Sequence, residues 1–430
     1  MTTKAIGKLA QLALRNLFRN RRRTLVTLLL VVVGFVAMGT ARGYFVQTLE
    51  GLQQVSIRSG IAGTLGSGHV VLKDSRYARD EENFLLQFGL DNYAEIREAV
   101  AEIDGVAYAL ARTQVTGLAS SGERSLAFRG YAVDPGAEAE LRTGLADIAA
   151  RTEGMTLGEQ FEALGDEPYR ASIGVGLAKA IDAGVGDTIL LLTTTVDGAV
   201  NAIDVEIVHL IATGSREVDR FFLVLSHDTL SILTGATGVG EMSFMLEDKA
   251  MVDSLLPKIR RVAQEVTPDR SFDIVGWEEA GDYYPAVRDL FTFMFGFLEA
   301  IIVVIVLISS WNVVNMTVME RVNEIGTMRA IGMGQRSIGS IFLMEGAITG
   351  VVAVALGLVL QLLLVLFINN AQIEMPPPPG GNQGFILQVR YLTSYHFFIV
   401  LMVIGAMVVA NVSALLTIRR MTITEALNHA

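Results

Sequence analysis

The chain has 430 residues, 51% of them hydrophobic, with a mean hydropathy of +0.45 and a net charge of −11. It is too apolar for an ordinary soluble protein and too acidic to favour nucleic acid or an anionic lipid surface. Cysteine is absent, which excludes disulfides and thiolate metal sites.

Residues 1–23 hold seven bases (Lys4, Lys8, Arg15, Arg19, Arg21, Arg22, Arg23) and no acid. Ile6, Leu9, Leu12, Ala13, Leu17 and Phe18 recur among them at roughly helical spacing, which predicts an amphipathic helix along the inner leaflet. The apolar run 24–41 follows, and the residues after it (Arg42-Gly43-Tyr44-Phe45) form no convincing cleavage site. It is expected to remain as an uncleaved spanning anchor.

Residues 42–290 form a large mixed α/β block, and 43–290 carry 39 acids against 20 bases. Residues 43–57 lack proline and extend the first span as a stalk. Strands are predicted at 68–72, 106–110, 188–192, 203–211 and 221–225, and a helix at 92–103. Pro257 is expected to open a short amphipathic helix ending at Val266, and 284–290 to form a second stalk with Pro285 in its first turn. The block is long enough for two compact subdomains, divided near 110–170.

Three further runs, 291–316, 341–368 and 397–418, match the roughly 20 apolar residues that cross a bilayer. The fold class predicted is an α-helical membrane protein with four transmembrane helices. A large mixed α/β extracytoplasmic domain lies between the first and second. The basic residues near 19–23, in the loop 317–340 and in the tail 419–430 all fall on one side after four crossings. That side is the cytoplasm by the positive-inside rule. The domain 42–290 and the loop 369–396 then lie outside.

Within 317–340, Glu320 and Glu324 stand four apart, and Arg329 lies a little over one turn beyond. Gly326 lies inside, Gly332 and Gly334 after. This reads as a short charged helix outside the bilayer, closed by glycines, where a partner grips the chain. The alternative is an ordinary solvated turn.

No G-x-x-x-x-G-K-[ST] loop occurs, so any ATP that drives this protein, with its Mg, is expected on another chain. No cofactor or metal is expected on this one: His69, His209, His227, His396 and His429 show no ligand-pair spacing. No nucleophile–base grouping stands out, so catalysis is not expected either. Glu299 and Glu345 sit inside spans, where charge needs a reason. Glu299 is roughly 12 Å along its span at 1.5 Å per residue, and is either protonated or paired across a helix interface. Glu345 is near enough to a span end to reach the interface or Arg336. So few ionisable groups suggest no hydrophilic pathway. Pro376, Pro377, Pro378 and Pro379 predict a stiff polyproline rod in the outer loop, a spacer or a ledge for cargo or partner.

Four features together resemble the FtsX/MacB-like permeases of ABC transporters, a family that includes the lipoprotein-releasing LolC and LolE. They are Ala13-Leu14-Arg15-Asn16-Leu17-Phe18-Arg19-Asn20 before the first span; Glu320-Arg321, Glu324-Ile325-Gly326 and Arg329-Ala330-Ile331-Gly332, with Glu345 following; Leu177-Ala178 and Val185-Gly186-Asp187-Thr188; and Arg419-Arg420 before Thr424-Glu425-Ala426-Leu427. The resemblance implies a dimer of four-span subunits, identical or homologous, in a bacterial inner membrane. It further implies a cytoplasmic ATPase pair gripping 319–334 and an outer domain of the MacB periplasmic core type that receives the motion. On this resemblance Glu320, Arg321, Glu324, Ile325, Gly326, Arg329, Ala330 and Gly332 couple the ATPase. Lipoprotein or another amphiphile is the first cargo expected, with a periplasmic carrier. MacB-type efflux of drug, peptide or toxin through an adaptor, or FtsX-like signalling to a cell-wall hydrolase, are the alternatives.

Overall fold

The computed structural model describes residues 21–60, 65–79, 85–142, 157–281, 283–376 and 384–420. The expected inner-leaflet helix over 1–20, the tail beyond 420 and Pro377, Pro378 and Pro379 lie outside these residues; Pro376 is exposed. Two compact units result: Glu50–Arg288 with Glu374–Phe385, and Met1–Leu49, Asp289–Ile373 and Ile386–Ala430.

The first of these units is a mixed α/β domain with a nine-stranded sheet among the described residues, and its two largest hydrophobic cores interleave along the chain. Strand β1 (Val70–Asp74), helix α2 (Tyr93–Ala101) and strand β2 (Val106–Ser120) make a first β–α–β unit; helix α1 precedes them in the other unit and is described below. Strands β8 (Glu241–Leu246) and β9 (Phe272–Gly276), with helix α6 (Val252–Val266) between, make a second. Their strand order is β2-β8-β1-β9, with every neighbour antiparallel, which is the ferredoxin-like split β–α–β arrangement. Leu255, Ile259 and Ala263 of α6 and Ile96 and Val100 of α2 are buried at i, i+4 spacing against the sheet. Each of the larger ones contributes about 1.5–3 kcal/mol by leaving water.

Between β2 and β8 the chain builds a second body. Strands β3 (Ser125–Val133), β4 (Arg170–Gly174), β5 (Thr188–Thr194), β6 (Val200–Ile211) and β7 (Phe222–Ser226) pair in the order β2-β3-β7-β4-β6-β5, and β5 returns to β2. Six strands therefore close into a barrel. Phe128, Ile173, Leu191, Ile207 and Leu225 fill its interior, and helices α4 (Val175–Ile181) and α5 (His227–Thr234) add Leu177, Ile181, Leu230 and Leu233. A closed barrel leaves no strand edge open to wrong pairing.

The division expected within 110–170 is therefore corrected. The ferredoxin-like core takes residues from 70–111 and again from 239–274, while the barrel core takes 115–233. The boundary crosses β2 itself, whose first half pairs with β8 and whose second half pairs with β3 and β5. A second correction concerns Pro257, which lies inside α6 rather than opening it; the helix starts at Val252. The short turn Lys249–Met251, capped by the Asp248 side chain, already sets its first residues in helical geometry.

Arg112 sits at the changeover, opposite Glu241 of β8 and Val133 of β3. It is fully buried, and its Nη2 donates to Glu138 Oε2 at 3.0 Å, from helix α3 (Pro135–Arg142). Its Nε donates to the other oxygen of Glu138, and Nη1 to the carbonyl of Gly66. Burial alone would lower the guanidinium pKa; Glu138 outweighs it and holds the group above its ordinary value. Beside it the His227 Nε2–H donates to the Ala111 carbonyl at 3.0 Å. Burial holds His227 below the usual imidazole range, so it is neutral there.

Among the described residues, four helices that make up most of the other unit are long and apolar enough to cross a membrane: α1 (Arg21–Gln54), α7 (Tyr283–Glu320), α9 (Gln335–Asn370) and α10 (Thr393–Arg420). Their core is Val31, Phe35, Met38, Val306, Ala353, Ile399 and Val403. Gly39 and Gly43 form a small-xxx-small pair on α1. A Cβ at Gly43 would lie 2.2 Å from the Arg390 carbonyl oxygen, so only glycine allows that approach. Gly39 faces Gln361, a fully buried amide whose Oε1 accepts from His396 Nε2 at 2.8 Å.

Candidate functional site

The region that joins α7 to α9 is built from one helix break and one glycine. Arg321 leaves helical geometry (φ −105°, ψ 13°), which ends α7 at Glu320 and starts α8 (Val322–Ala330). Glu320 and Glu324, four apart in sequence, therefore do not share one continuous helix as their spacing implied. At the far end Gly332 takes φ +96°, its N–H bonds to Arg329 O, and the Met333 N–H bonds to Met328 O, each at 3.0 Å. These two bonds are the Schellman arrangement, and its left-handed position suits glycine. Gly334 has an ordinary extended backbone (φ −66°, ψ 145°) and caps α9.

Helix α8 is two-sided. Val322, Ile325 and Gly326 are buried. Ile325 packs with Val314 and Val318 of α7, Ile338 and Phe342 of α9 and Ala410 of α10. Glu324, Thr327 and Ala330 are exposed, as are the neighbours Glu320 and Gly332, and Arg329 is half-buried. So the resemblance's coupling residues divide: Ile325, Gly326 and Arg321 turn inward, while Glu320, Glu324, Ala330 and Gly332 face solvent.

Arg321 ties the segment together. Its Nε donates to Glu324 Oε2 at 3.0 Å, and its Nη1 donates to both oxygens of Glu345 at 3.1 Å. Its guanidinium also lies 5.4 Å from the centre of the Phe342 ring. The side chains of Arg321 and Glu345 are 11% and 12% exposed, that of Glu324 43%. Burial by itself would depress the Arg321 pKa; Glu345 first, then Glu324, reverse that and raise it. Glu345 thus pairs with Arg321; the side chain of Arg336, the other base expected within its reach, lies outside the described residues. Sequence spacing missed this pair because the two residues are 24 positions apart on different helices.

Glu299 is answered differently. Its Oε1 lies 3.9 Å from Arg42 Nη1, so it pairs across the α1–α7 interface. The Arg42 guanidinium also faces the rings of Phe45 and Tyr395, at 4.9 and 5.1 Å. Arg42 thus joins Glu299, Phe45 and Tyr395 in one cluster. The Gln361–His396 pair went unforeseen; its one signal was a lone amide within the apolar run 341–368. Among the described residues no group of three or more acidic or histidine side chains is placed to hold a metal.

Residues 296–425 match the family described as FtsX-like permease C-terminal. Over 220 residues, 48% of this chain and 50% of the relative, the sequence is 27% identical to the lipoprotein-releasing system transmembrane protein LolC of Neisseria meningitidis. Over 100 residues, 23% of this chain and 22% of the relative, it is 33% identical to the ABC transporter permease YtrF of Bacillus subtilis. The chain thus spans half the length, or less, of the curated relatives it matches. The periplasmic region of MacB from Actinobacillus actinomycetemcomitans aligns at a TM-score of 0.35 and 10% identity, covering 50% of this chain and 90% of that one. The extracellular domain of the ABC-type transporter YknZ from Gram-positive bacteria aligns at 0.32 and 13%, covering 48% and 98%.

Proposed function

We infer that this chain, an FtsX-like permease, is the membrane subunit of an ABC transporter whose ATP-hydrolysing chains grip α8. The observation that carries this reading is the two-sided α8, packed against α7 and α9 and tied to α9 through the Arg321–Glu345 pair on one side, and polar and exposed on the other. A force applied to its exposed side moves both spans, because Ile325 and Arg321 leave α8 little freedom to move alone. Helix α7 runs 38 residues, roughly 57 Å at 1.5 Å per residue, well beyond the roughly 30 Å of a bilayer core. It is a lever by length. ATP and Mg belong to the partner chain, consistent with the missing phosphate loop. The sheet domain lies outside a bacterial inner membrane, with both termini in the cytoplasm, as the basic residues at 19–23, 321, 329 and 419–420 support.

Lipoprotein or a similar amphiphile is the cargo we favour. The similarity to LolC supports it, and so does the chemistry of the spans. The spans carry few ionisable side chains among the described residues, and one of them, Glu299, lies 3.9 Å from Arg42, which gives a polar path little charged lining.

Two experiments test the reading. Affinity purification in mild detergent is expected to recover an ABC ATPase, and the Glu324→Ala/Arg329→Ala chain to recover several-fold less at unchanged membrane insertion. Undiminished recovery would remove α8 as the docking element. A cysteine replacing Val200 is expected to react with an impermeant maleimide in intact spheroplasts, and one replacing Gly334 only after permeabilisation. The opposite pattern would invert the orientation.

A further inference from the structure

One outward face of the six-stranded barrel is apolar in the middle and charged at two corners. Across it Ala127 of β3 pairs with Leu118 of β2, Leu118 with Leu192 of β5, and Leu192 with Ala202 of β6. That row crosses four strands without a polar side chain. Leu118 is 45% exposed, and Leu190, one outward position along β5, is 39% exposed. The alternation of burial confirms the direction, since Phe128, Ala119, Leu191 and Val205 point into the barrel. Arg129 stands in the row on one side of the apolar one, on β3; Asp204 stands in the row on the other side, on β6. Both are exposed.

We propose that this face docks against the same face of a second copy of this chain. It requires the permease reading only in needing two copies side by side. Residues 43–290 carry 39 acids against 20 bases, so two such domains repel over most of their surface. A row free of acids is where they can approach. The charges are self-complementary as well. A two-fold axis in the plane of the contact, along the diagonal that Arg129 and Asp204 do not occupy, lays each Arg129 over the other copy's Asp204. The strands of the two faces then cross near a right angle, an allowed sheet packing.

Four strands about 4.8 Å apart and three outward positions give roughly 200 Å² per copy. A free-standing dimer needs about 800 Å² per partner. The contact therefore suits copies already held together elsewhere, where high effective concentration makes a small surface sufficient.

The chain has no native cysteine, which makes the test direct. In membranes containing the full chain, Leu118→Cys or Leu190→Cys is expected to give a dimer-sized product with a short bis-maleimide. Ser254→Cys, exposed on α6, should give at least fivefold less. Arg129→Glu and Asp204→Arg should each lower the Leu118→Cys yield at least threefold, and the two together should restore it. No product from either leucine position, equal product from Ser254→Cys, no restoration by the double reversal, or a product with a different polypeptide would each overturn the proposal. Loss of the ATPase on purification leaves these yields unaffected, so the two readings fail separately.

Discussion

Replacing Glu138 by alanine is expected to destabilise the sheet domain by about 3–5 kcal/mol, the cost of leaving a buried cation without its partner. The Arg112 and Glu138 side chains are 0% and 1% exposed, so solvent cannot take over the lost bonds. The position enlarges the consequence. Arg112 stands where β2 passes from the ferredoxin-like sheet to the barrel, and it also holds the Gly66 carbonyl just before β1. Loosening it should loosen both cores. Denaturant unfolding of the purified chain, followed by the fluorescence of Trp277, reads this; that residue is buried in the sheet domain with Leu110, Leu141 and Met245. A loss under 1 kcal/mol would mean that the pair does not hold the joint. Replacing both partners, as Arg112→Met/Glu138→Leu, should recover much of the loss, because apolar groups of similar size need no partner.

The parts of this fold that the sequence announces are those set by local pattern. Runs such as 341–368 are too long and apolar to be anything but spans. Asn92 and the Asp104-Gly105 turn bracket α2 within two residues. What escaped is non-local. Strand β2 reads as ending near Leu110, yet it continues to Ser120 because Arg112, Thr113 and Gly117 have uses that only the assembled domain supplies. Gly117 faces the Leu192 carbonyl so closely that a Cβ would come within 2.3 Å. Barrel closure rests on β5 meeting β2 about 70 positions away, a pairing no periodicity encodes. The site divides in the same way. Gly332 marked the end of α8 by its chemistry, whereas the break at Arg321 depends on Glu345 and Phe342, contributed by α9.

Removing the Arg321 side chain, as Arg321→Met, should disturb α8 more than any change on its exposed face. Glu345, 12% exposed, would lose the Arg321 guanidinium, a loss between that of a surface pair, worth about 0–1 kcal/mol, and that of a fully buried one at about 3–5. A local cost of about 1–3 kcal/mol follows. Because roughly 1.4 kcal/mol is tenfold in an equilibrium, α8 should open some 5- to 150-fold more often. Amide hydrogen exchange over 322–330 measures that directly. Glu324→Gln removes only the exposed arm of the bridge, so its exchange should stay within a few-fold of the parent while ATPase recovery falls. Arg321→Met should raise exchange and lower ATPase recovery, and the reversal Arg321→Glu/Glu345→Arg should regain protection before it regains the partner. If Arg321→Met leaves exchange across 322–330 unchanged, α8 is held by Ile325 and its apolar neighbours alone. The ion pair would then have no part in passing force from the ATPase to α7 and α9.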